Sequence, residues 1–210
     1  MRRSLTLLLA SATATVAVAG MGLSATPALA SRSAPADQVF NLTYPVTGST
    51  FIKKINSSIS LGPGTLATTA DLTSSTLTAT LTLPPATGSF KELGFITVTA
   101  TTKLIQVGQA TGTFNFNANT VTTTATAMLQ LTSLRIAGIP IPVGSSCETS
   151  PAAITVASQP GFTFGLGGNL AGTYTIPSFR NCGFATLLIN LTLPGPGNTI
   201  TLTLGAPTLG

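Results

Sequence analysis

The residues that could do chemistry in this chain are few, because histidine is absent and only four carboxylates are present. The absence of histidine excludes Ser-His-Asp and Cys-His catalysis, and metal binding through imidazole. Acid–base chemistry would have to come from Asp37, Asp71, Glu92 and Glu148. Asp71 and Glu148 could form a carboxylate pair of glycosidase type. Nothing in the sequence places the two side chains close together, so we expect two separate surface carboxylates. We therefore expect no enzyme activity, no cofactor and no metal.

Other reactive patterns are equally sparse. Lys91 and Glu92 are adjacent and are expected to be a solvated pair, and no S-x-x-K motif provides a Ser–Lys dyad. The segment Gly165-Leu166-Gly167-Gly168 has the glycines of a phosphate loop but lacks its G-K-[ST] ending. We interpret that segment as a glycine turn.

Cys147 and Cys182 are the two cysteines of the chain. Without histidine or a C-x-x-C motif they are poor candidates for a metal or redox site, and in an oxidising compartment they are expected to form a disulfide. A loop of about 35 residues closed in this way contributes roughly 3–4 kcal/mol by the chain-entropy estimate.

The beginning of the chain predicts export. Arg2 and Arg3 are followed by an uncharged apolar stretch from Leu5 to Leu23, and the segment then ends in a small-x-small cleavage signal at Ala30. Residues 1–30 are therefore predicted to be a signal peptide that is cleaved between Ala30 and Ser31, and residues 31–210 a secreted domain. A retained membrane anchor is the alternative, and the route (Sec or twin-arginine) stays open.

The charges give little support for a polyanionic partner. After Ala30 the chain has seven basic and four acidic residues, and Lys53-Lys54 is the one basic cluster. Nucleic-acid binding normally uses a concentrated basic stripe, with aromatic side chains where single strands stack, so we expect no nucleic acid partner. We interpret Lys53-Lys54 as a solvated strand face or an edge that resists pairing.

Threonine supplies the strongest signal about the fold. There are 39 threonines, and in Thr76–Leu83 and Thr199–Leu204 they alternate with apolar residues. A period of two places one residue type on each face of a β-strand, and threonine suits a half-exposed sheet surface. The chain is therefore predicted to be all-β, with a single antiparallel β-sandwich or barrel-like domain after the cleaved signal peptide.

Turn residues divide the chain into predicted strands. The first strand, Gln38–Tyr44, is expected to end at Pro45, and a second, Phe51–Leu61, at Gly62-Pro63-Gly64. The other predicted segments are Leu66–Leu72 paired with Thr76–Leu83, a hairpin of Phe95–Val107 and Gln109–Asn117, a long strand at Thr120–Ile136, and short strands at Ala153–Ala157, Phe162–Leu166, Asn169–Ile176, Phe184–Leu193 and Thr199–Leu204.

Two blocks in the last third of the chain have a distinctive pattern. The first runs from Gly138 through Ile139-Pro140-Ile141-Pro142-Val143-Gly144 to Cys147, and the second runs from Gly172 through Thr175-Ile176-Pro177 to Cys182-Gly183. These blocks resemble G-[VI]-P-[LI]-x-V-G-x-x-C and G-T-x-T-I-P-x-F-x-x-C-G blocks of uncharacterised secreted β-rich proteins of actinobacteria. The resemblance implies a Cys147–Cys182 bridge and an extracellular or cell-envelope location, and it implies no activity.

Three functions remain open from the sequence. The first is a non-enzymatic secreted or envelope module that acts by binding or self-association, since neutral hydroxyl-rich faces repel each other little. The second is a carrier of a small apolar or lipid-like ligand in a β-enclosed pocket, for which Phe114, Phe116, Phe162 and Phe164 are candidate lining residues, with core packing as their alternative role. The third is a β-barrel pore, although the chain has few residues for aromatic girdles.

Overall fold

The computed structural model describes residues 38–210, so the predicted signal peptide, the cleavage point at Ala30 and Ser31, and Asp37 lie outside the described residues. The described chain is almost entirely antiparallel β-structure. Its strands are β1 Val39–Ile52, β2 Ser57–Asp71, β3 Thr76–Thr82, β4 Ala86–Glu92, β5 Ile96–Gln106, β6 Ala110–Asn115, β7 Thr120–Ile136, β8 Ile139–Ile141, β9 Glu148–Thr149, β10 Ala152–Ser158, β11 Gly168–Ile176, β12 Phe179–Arg180, β13 Gly195–Leu204 and β14 Thr208–Leu209. A short helix, α1, spans Thr186–Thr192, and 3₁₀ turns lie at Lys53–Ile55 and Gly183–Ala185.

Eight of these strands close into a barrel. Their order around the wall is β1, β2, β3, β6, β7, β10, β11 and β13, and β13 pairs with β1 to complete the ring. Every pairing is antiparallel. The prediction of an all-β antiparallel domain is confirmed, and the barrel is the form that it takes.

The threonine alternation accounts for the two faces of the barrel wall. In β3, Leu77 and Ala79 are buried while Thr76 and Thr80 are exposed. Threonines on neighbouring strands stand opposite each other on the outside, and the hydroxyls of Thr124 and Thr155 are hydrogen-bonded at 2.8 Å. The outer wall is therefore a hydroxyl surface around an aliphatic interior.

A second core extends the barrel at one end. The second half of β7 leaves the barrel and pairs with β5, which in turn pairs with β4. These strands, the ends of β1 and β2, α1 and the disulfide surround a separate buried cluster that includes Leu131, Leu134 and Phe179. The barrel is closed at this end by protein, and its other end, the distal end, is formed by turns and by loop 159–167.

Two predicted strand ends are wrong, for the same physical reason. β1 continues through Pro45 because no strand pairs with it there on that side: β13 pairs with β1 only from Val46 onward, and β14 only up to Thr43. The missing N–H of the proline therefore costs no hydrogen bond between strands. β2 continues through Gly62-Pro63-Gly64 because Gly62 and Pro63 form a bulge in β2 opposite Thr47 of β1, in the half of β2 that β3 does not reach. Proline is tolerated where a strand edge is free.

Three further predictions fail through pairing or period. The segments of the predicted Phe95–Val107 and Gln109–Asn117 hairpin are strands, but β5 and β6 each pair with a different half of β7 and not with each other. Phe162–Leu166 is part of a loop, and Phe184–Leu193 contains α1. The helix buries Ala185 and Ile189 together, because residues four apart lie on the same side of a helix.

The predicted strand Phe51–Leu61 is wrong as one element, because it contains the end of β1, the 3₁₀ turn Lys53–Ile55 and the start of β2. The remaining strand predictions are confirmed. β7 has the predicted bounds Thr120–Ile136, β2 and β3 pair over the predicted segments, and strands occupy the predicted positions at β10, β11 and β13.

Candidate functional site

The interior of the barrel contains a cavity of ≈ 90 Å³. All eight barrel strands contribute to its wall, and its lining includes no charged side chain. Four lining residues carry polar groups, namely Tyr44, Thr68, Gln106 and Thr123, and the others are aliphatic or aromatic. The cavity is thus an apolar space surrounded by the barrel wall.

Alanines at inward positions create this space. The lining includes Ala70, Ala79, Ala110, Ala125 and Ala127, where larger aliphatic side chains would fill a barrel of eight strands. Close packing is the rule in protein interiors, so a void here removes dispersion contacts from its lining. The small side chains are therefore the sequence feature that keeps the interior open.

The polar groups in the wall are directed to the protein itself. The Tyr44 hydroxyl donates a hydrogen bond of 2.9 Å to the Phe164 carbonyl. The Gln106 amide accepts from the Leu81 N–H at 2.7 Å and donates to the Ala79 carbonyl at 2.9 Å, where β3 extends beyond its pairing with β6. Burial raises the pKa of Tyr44, so its hydroxyl remains a donor at neutral pH. The sequence reading missed both residues, which are marked only by being polar at inward positions of apolar strands.

Aromatic side chains close the distal end of the barrel. Phe162 and Phe164, two of the candidate lining residues, line the cavity and lie in loop 159–167 between β10 and β11. Phe114 is buried and packs edge-on against Phe164 with ring centroids 5.5 Å apart. Phe116 does not line the cavity; it is 62% exposed and stacks on Phe164 from outside. The four predicted aromatic residues form one cluster, but only two of them face the cavity.

The glycine segment belongs to this covering loop. Thr163 and Gly167 pair through two backbone hydrogen bonds of 2.8 Å, and a Cβ at Gly167 would collide with the backbone carbonyl of Leu204. Gly167 also has a positive φ of 82°. Glycine is required there by the turn and by the close approach of the Leu204 backbone. This agrees with the interpretation of Gly165–Gly168 as a turn.

A second cavity of ≈ 70 Å³ lies in the adjoining core. Its wall includes Phe90 and Leu193, and three residues line both cavities: Leu104, Ile154 and Ile200. We call these three residues the partition. The two cavities together form an apolar interior that runs from the distal loop towards α1 and is interrupted by the partition.

A polar pair borders this second cavity. The Thr50 hydroxyl donates to the Thr199 carbonyl at 2.9 Å, so in the 2.7 Å contact between Tyr174 and Thr50 the tyrosine is the donor. Burial raises the pKa of Tyr174 as well. Both tyrosines therefore hold the strands through neutral hydroxyls.

The carboxylates are dispersed. Asp71 begins the β2–β3 turn at the distal end, and hydrogen bonds from the Ser74 hydroxyl at 2.8 Å and from the N–H groups of Ser74 and Thr73 hold its pKa below the usual value. Glu148 lies in β9 beside the second half of β7, so the structure does not bring it together with Asp71. Within residues 38–210, no group of three or more cysteine or acidic side chains could hold a metal ion.

Cys147 and Cys182 form the predicted disulfide, with Cα atoms 4.4 Å apart and both residues fully buried. The bridge joins the segment before β9 to the segment after β12, which fixes the residues leading into α1. Lys53 and Lys54 are exposed, as expected, but they lie in a 3₁₀ turn and not in a strand, so the interpretation as a strand face or edge is wrong.

Among the described residues, no helix is long and apolar enough to cross a membrane. Comparison of the chain with known proteins finds no matching protein family, no matching curated protein and no matching solved structure.

Proposed function

We propose that this protein is a non-enzymatic binding protein that takes a small apolar molecule, or one acyl chain of a lipid, into the barrel interior. The observation that carries the proposal is the uncharged, enclosed cavity and its continuation across the partition. Ligand sites in β-barrels are typically apolar spaces with a few polar groups. An apolar ligand would restore the contacts that the alanine-lined wall lacks.

The chemistry of the wall favours a ligand without charge. Tyr44 and Gln106 use their polar groups on neighbouring backbone, so a charged ligand group would be buried without a partner. Thr68 and Thr123 add hydroxyls that are compatible with an ester or alcohol.

The size of the interior favours a narrow ligand. An engineered apolar cavity of about 150 Å³ in another protein binds benzene, and each of the present cavities is smaller. A ligand that occupies both must displace the partition, which consists of flexible or branched aliphatic side chains. A single alkyl chain is the shape that enters such a space with the least rearrangement.

Loop 159–167 is the proposed entrance. It places Phe162 and Phe164 over the cavity and is held by the hydrogen bond from Tyr44. Connecting loops are more mobile than the strands they join. Release of the Tyr44 bond would lift the aromatic side chains from the distal end without breaking a barrel strand.

The test compares two alanines on the paired strands β2 and β3, one facing the cavity and one facing solvent. Ala79→Leu fills the cavity, whereas Ala67→Leu adds the same atoms on the exposed outer face. The processed chain that starts at Ser31 would be purified from its source and examined by native mass spectrometry, and titrated with a fluorescent fatty-acid analogue. We expect a bound adduct and binding that is lost in Ala79→Leu and kept in Ala67→Leu. Absence of an adduct, or equal binding by both variants, would contradict the proposal.

The outer wall favours a second candidate, self-association or binding at the surface. Exposed threonines cover successive barrel strands, including Thr111, Thr155, Thr173 and Thr203, and they carry no charge to repel a second copy. Such a wall differs from the apolar belt of a membrane-spanning barrel. Sedimentation velocity over a range of protein concentrations tests this candidate, and a monomer at every concentration would contradict it.

We also propose a secreted or cell-envelope location. The Cys147–Cys182 disulfide is compatible with an oxidising, extracellular compartment. Recovery of a chain that begins at Ser31 from the culture medium or the envelope fraction would support this location, and recovery of the uncleaved chain from the cytoplasm would contradict it.

A further inference from the structure

Helix α1 exposes an apolar face to solvent. Phe184, in the 3₁₀ turn that leads into α1, is 75% exposed, and Leu187, Leu188 and Leu191 of α1 are 72%, 44% and 65% exposed. Their spacing of three, four and seven residues places them on one side of the helix. We call these four residues the α1 stripe. The opposite side, with Ala185 and Ile189, is buried against the second core, so the helix is apolar on both sides. Contiguous exposed apolar surface of this kind marks an interaction site.

The stripe is held in a fixed position. The disulfide at Cys182 immediately precedes the 3₁₀ turn that leads into the helix. The Asn190 side chain accepts from the Phe179 N–H at 2.7 Å and donates to the Phe179 carbonyl at 2.9 Å. Thr186 donates to the Gly183 carbonyl at 2.8 Å. A frayed segment would not use these contacts, so the exposure of the stripe is a property of the folded protein.

Basic side chains border the stripe. The Lys54 ammonium donates a hydrogen bond of 3.3 Å to the Pro194 carbonyl, just beyond the end of α1. The Lys53 side chain passes Gly197, where a Cβ would lie 3.0 Å from the Lys53 Cδ. Arg180, two residues before Cys182, is exposed. The residue opposite it on β9 is the acidic Glu148. These three basic residues outnumber the one carboxylate.

We infer that the α1 stripe docks on a lipid surface that carries anionic headgroups. The leucines and Phe184 would enter the boundary between headgroups and acyl chains, and Lys53 and Lys54 would reach the phosphates while their stems remain in apolar contact. Each lysine near an anionic lipid surface raises the affinity for that surface about fivefold.

A second copy of the chain is a poorer occupant. In a symmetric pair the same patch faces itself, which would bring Lys53 and Lys54 of each copy towards those of the other. A stable interface buries about 800 Å² on each partner, whereas α1 has only seven residues. A lipid surface has neither restriction.

Docking would also place the second cavity near the lipid. Its wall includes Leu193, at the end of α1, and Ile55, in the 3₁₀ turn with the two lysines. An acyl chain that enters at loop 159–167 and crosses the partition would then end beside the lipid layer. This last step rests on the proposed function, whereas docking itself does not.

The test is co-flotation of the chain that starts at Ser31 with vesicles of phosphatidylcholine, with or without phosphatidylglycerol. Leu187→Ser with Leu191→Ser removes the centre of the stripe, and Leu93→Ser with Phe95→Ser removes matched exposed side chains from the β4–β5 turn. We expect binding to anionic vesicles that falls at least tenfold in the first variant and is unchanged in the second. Lys53→Gln with Lys54→Gln should lower binding to anionic vesicles about 25-fold and weaken its dependence on salt.

Several outcomes would overturn the inference. They are the absence of vesicle binding, an equal loss in both double serine variants, or a dimer that becomes a monomer when the stripe is changed. The cavity variant Ala79→Leu separates the two proposals. It should dock as the unmodified chain does although it has lost ligand uptake. Docking by an unmodified chain that takes up no ligand would refute the carrier function alone.

Discussion

Removal of Leu104 should join the two cavities. Leu104 is one of the three partition residues, so Leu104→Ala turns spaces of ≈ 90 and ≈ 70 Å³ into a continuous one. Leucine-to-alanine changes in protein cores cost about 2–5 kcal/mol. Leu104 is half-buried, and we therefore expect the lower end, about 2–3 kcal/mol. For a domain of this size the melting temperature should fall by about 4–12 °C.

The joined cavity should bind benzene, because it exceeds the volume of about 150 Å³ that is known to accept this ligand. A ligand that binds only the folded state at ten times its Kd stabilises that state by about 1.4 kcal/mol. Urea unfolding of Leu104→Ala with and without benzene should therefore show recovery of about half of the loss. The unmodified protein should gain much less, since neither separate cavity has the required size.

Leu134→Ala is the matched control. Leu134 is a buried leucine of the second core that lines neither cavity. We expect an equal or larger loss of stability and little recovery with benzene. Equal recovery in both variants, or no recovery in Leu104→Ala, would refute the reasoning that the partition separates two parts of one usable interior.

Two other predictions concern the tyrosines and the disulfide. Burial raises the pKa values of Tyr44 and Tyr174 above the ordinary 10.0, so the stability that their neutral forms contribute is complete below pH ~10 and is lost as the pH rises towards the folded-state pKa values. In a pH titration, tyrosinate absorbance should therefore appear at higher pH in the folded than in the urea-unfolded protein. Tyr44→Phe should remove one of the two titration steps. A step at pH 10 in the folded protein would contradict the assignment. Replacement of Cys147 and Cys182 by alanine should lower the free energy of unfolding by roughly 3–4 kcal/mol, the entropy of the opened loop. Urea unfolding measures this loss, and the unmodified protein with reduced cysteines should lose a similar amount; a change below about 1 kcal/mol would show that the loop is restrained by other means.

Local alternation explains how much of the barrel could be predicted. The alternation from Thr76 to Thr82 predicts which side of β3 faces inward, because a strand has a period of two and each side holds one residue type. The same pattern over Thr120–Ile136 predicts a strand, but it contains no sign that the two halves of β7 serve different cores. Pairing between distant strands depends on the closed wall as a whole, and this information is absent from any one segment.

The candidate site was harder to predict for a related reason. Alanines such as Ala79 and Ala127 are ordinary inward residues in their own strands, and they leave a cavity only because small residues also face them across the barrel. The segment Phe184–Leu193 is a short apolar run, for which periodicity does not separate strand from helix. The hydrogen bonds between Asn190 and Phe179 hold the helix in place, and no local pattern reveals them.

The pairing of β1 with β13 and β14 has a consequence for the order in which the protein can fold. Thr50 bonds to Thr199, and Thr208 bonds to Thr43, across sequence separations of 149 and 165 residues. The first described strand must therefore wait for the last ones before the wall can close, and contacts of such long range form slowly. For a chain that is threaded through a membrane unfolded, this delay is useful. If the chain is exported as proposed, the incomplete barrel remains able to pass through the channel until its final strands have emerged on the far side.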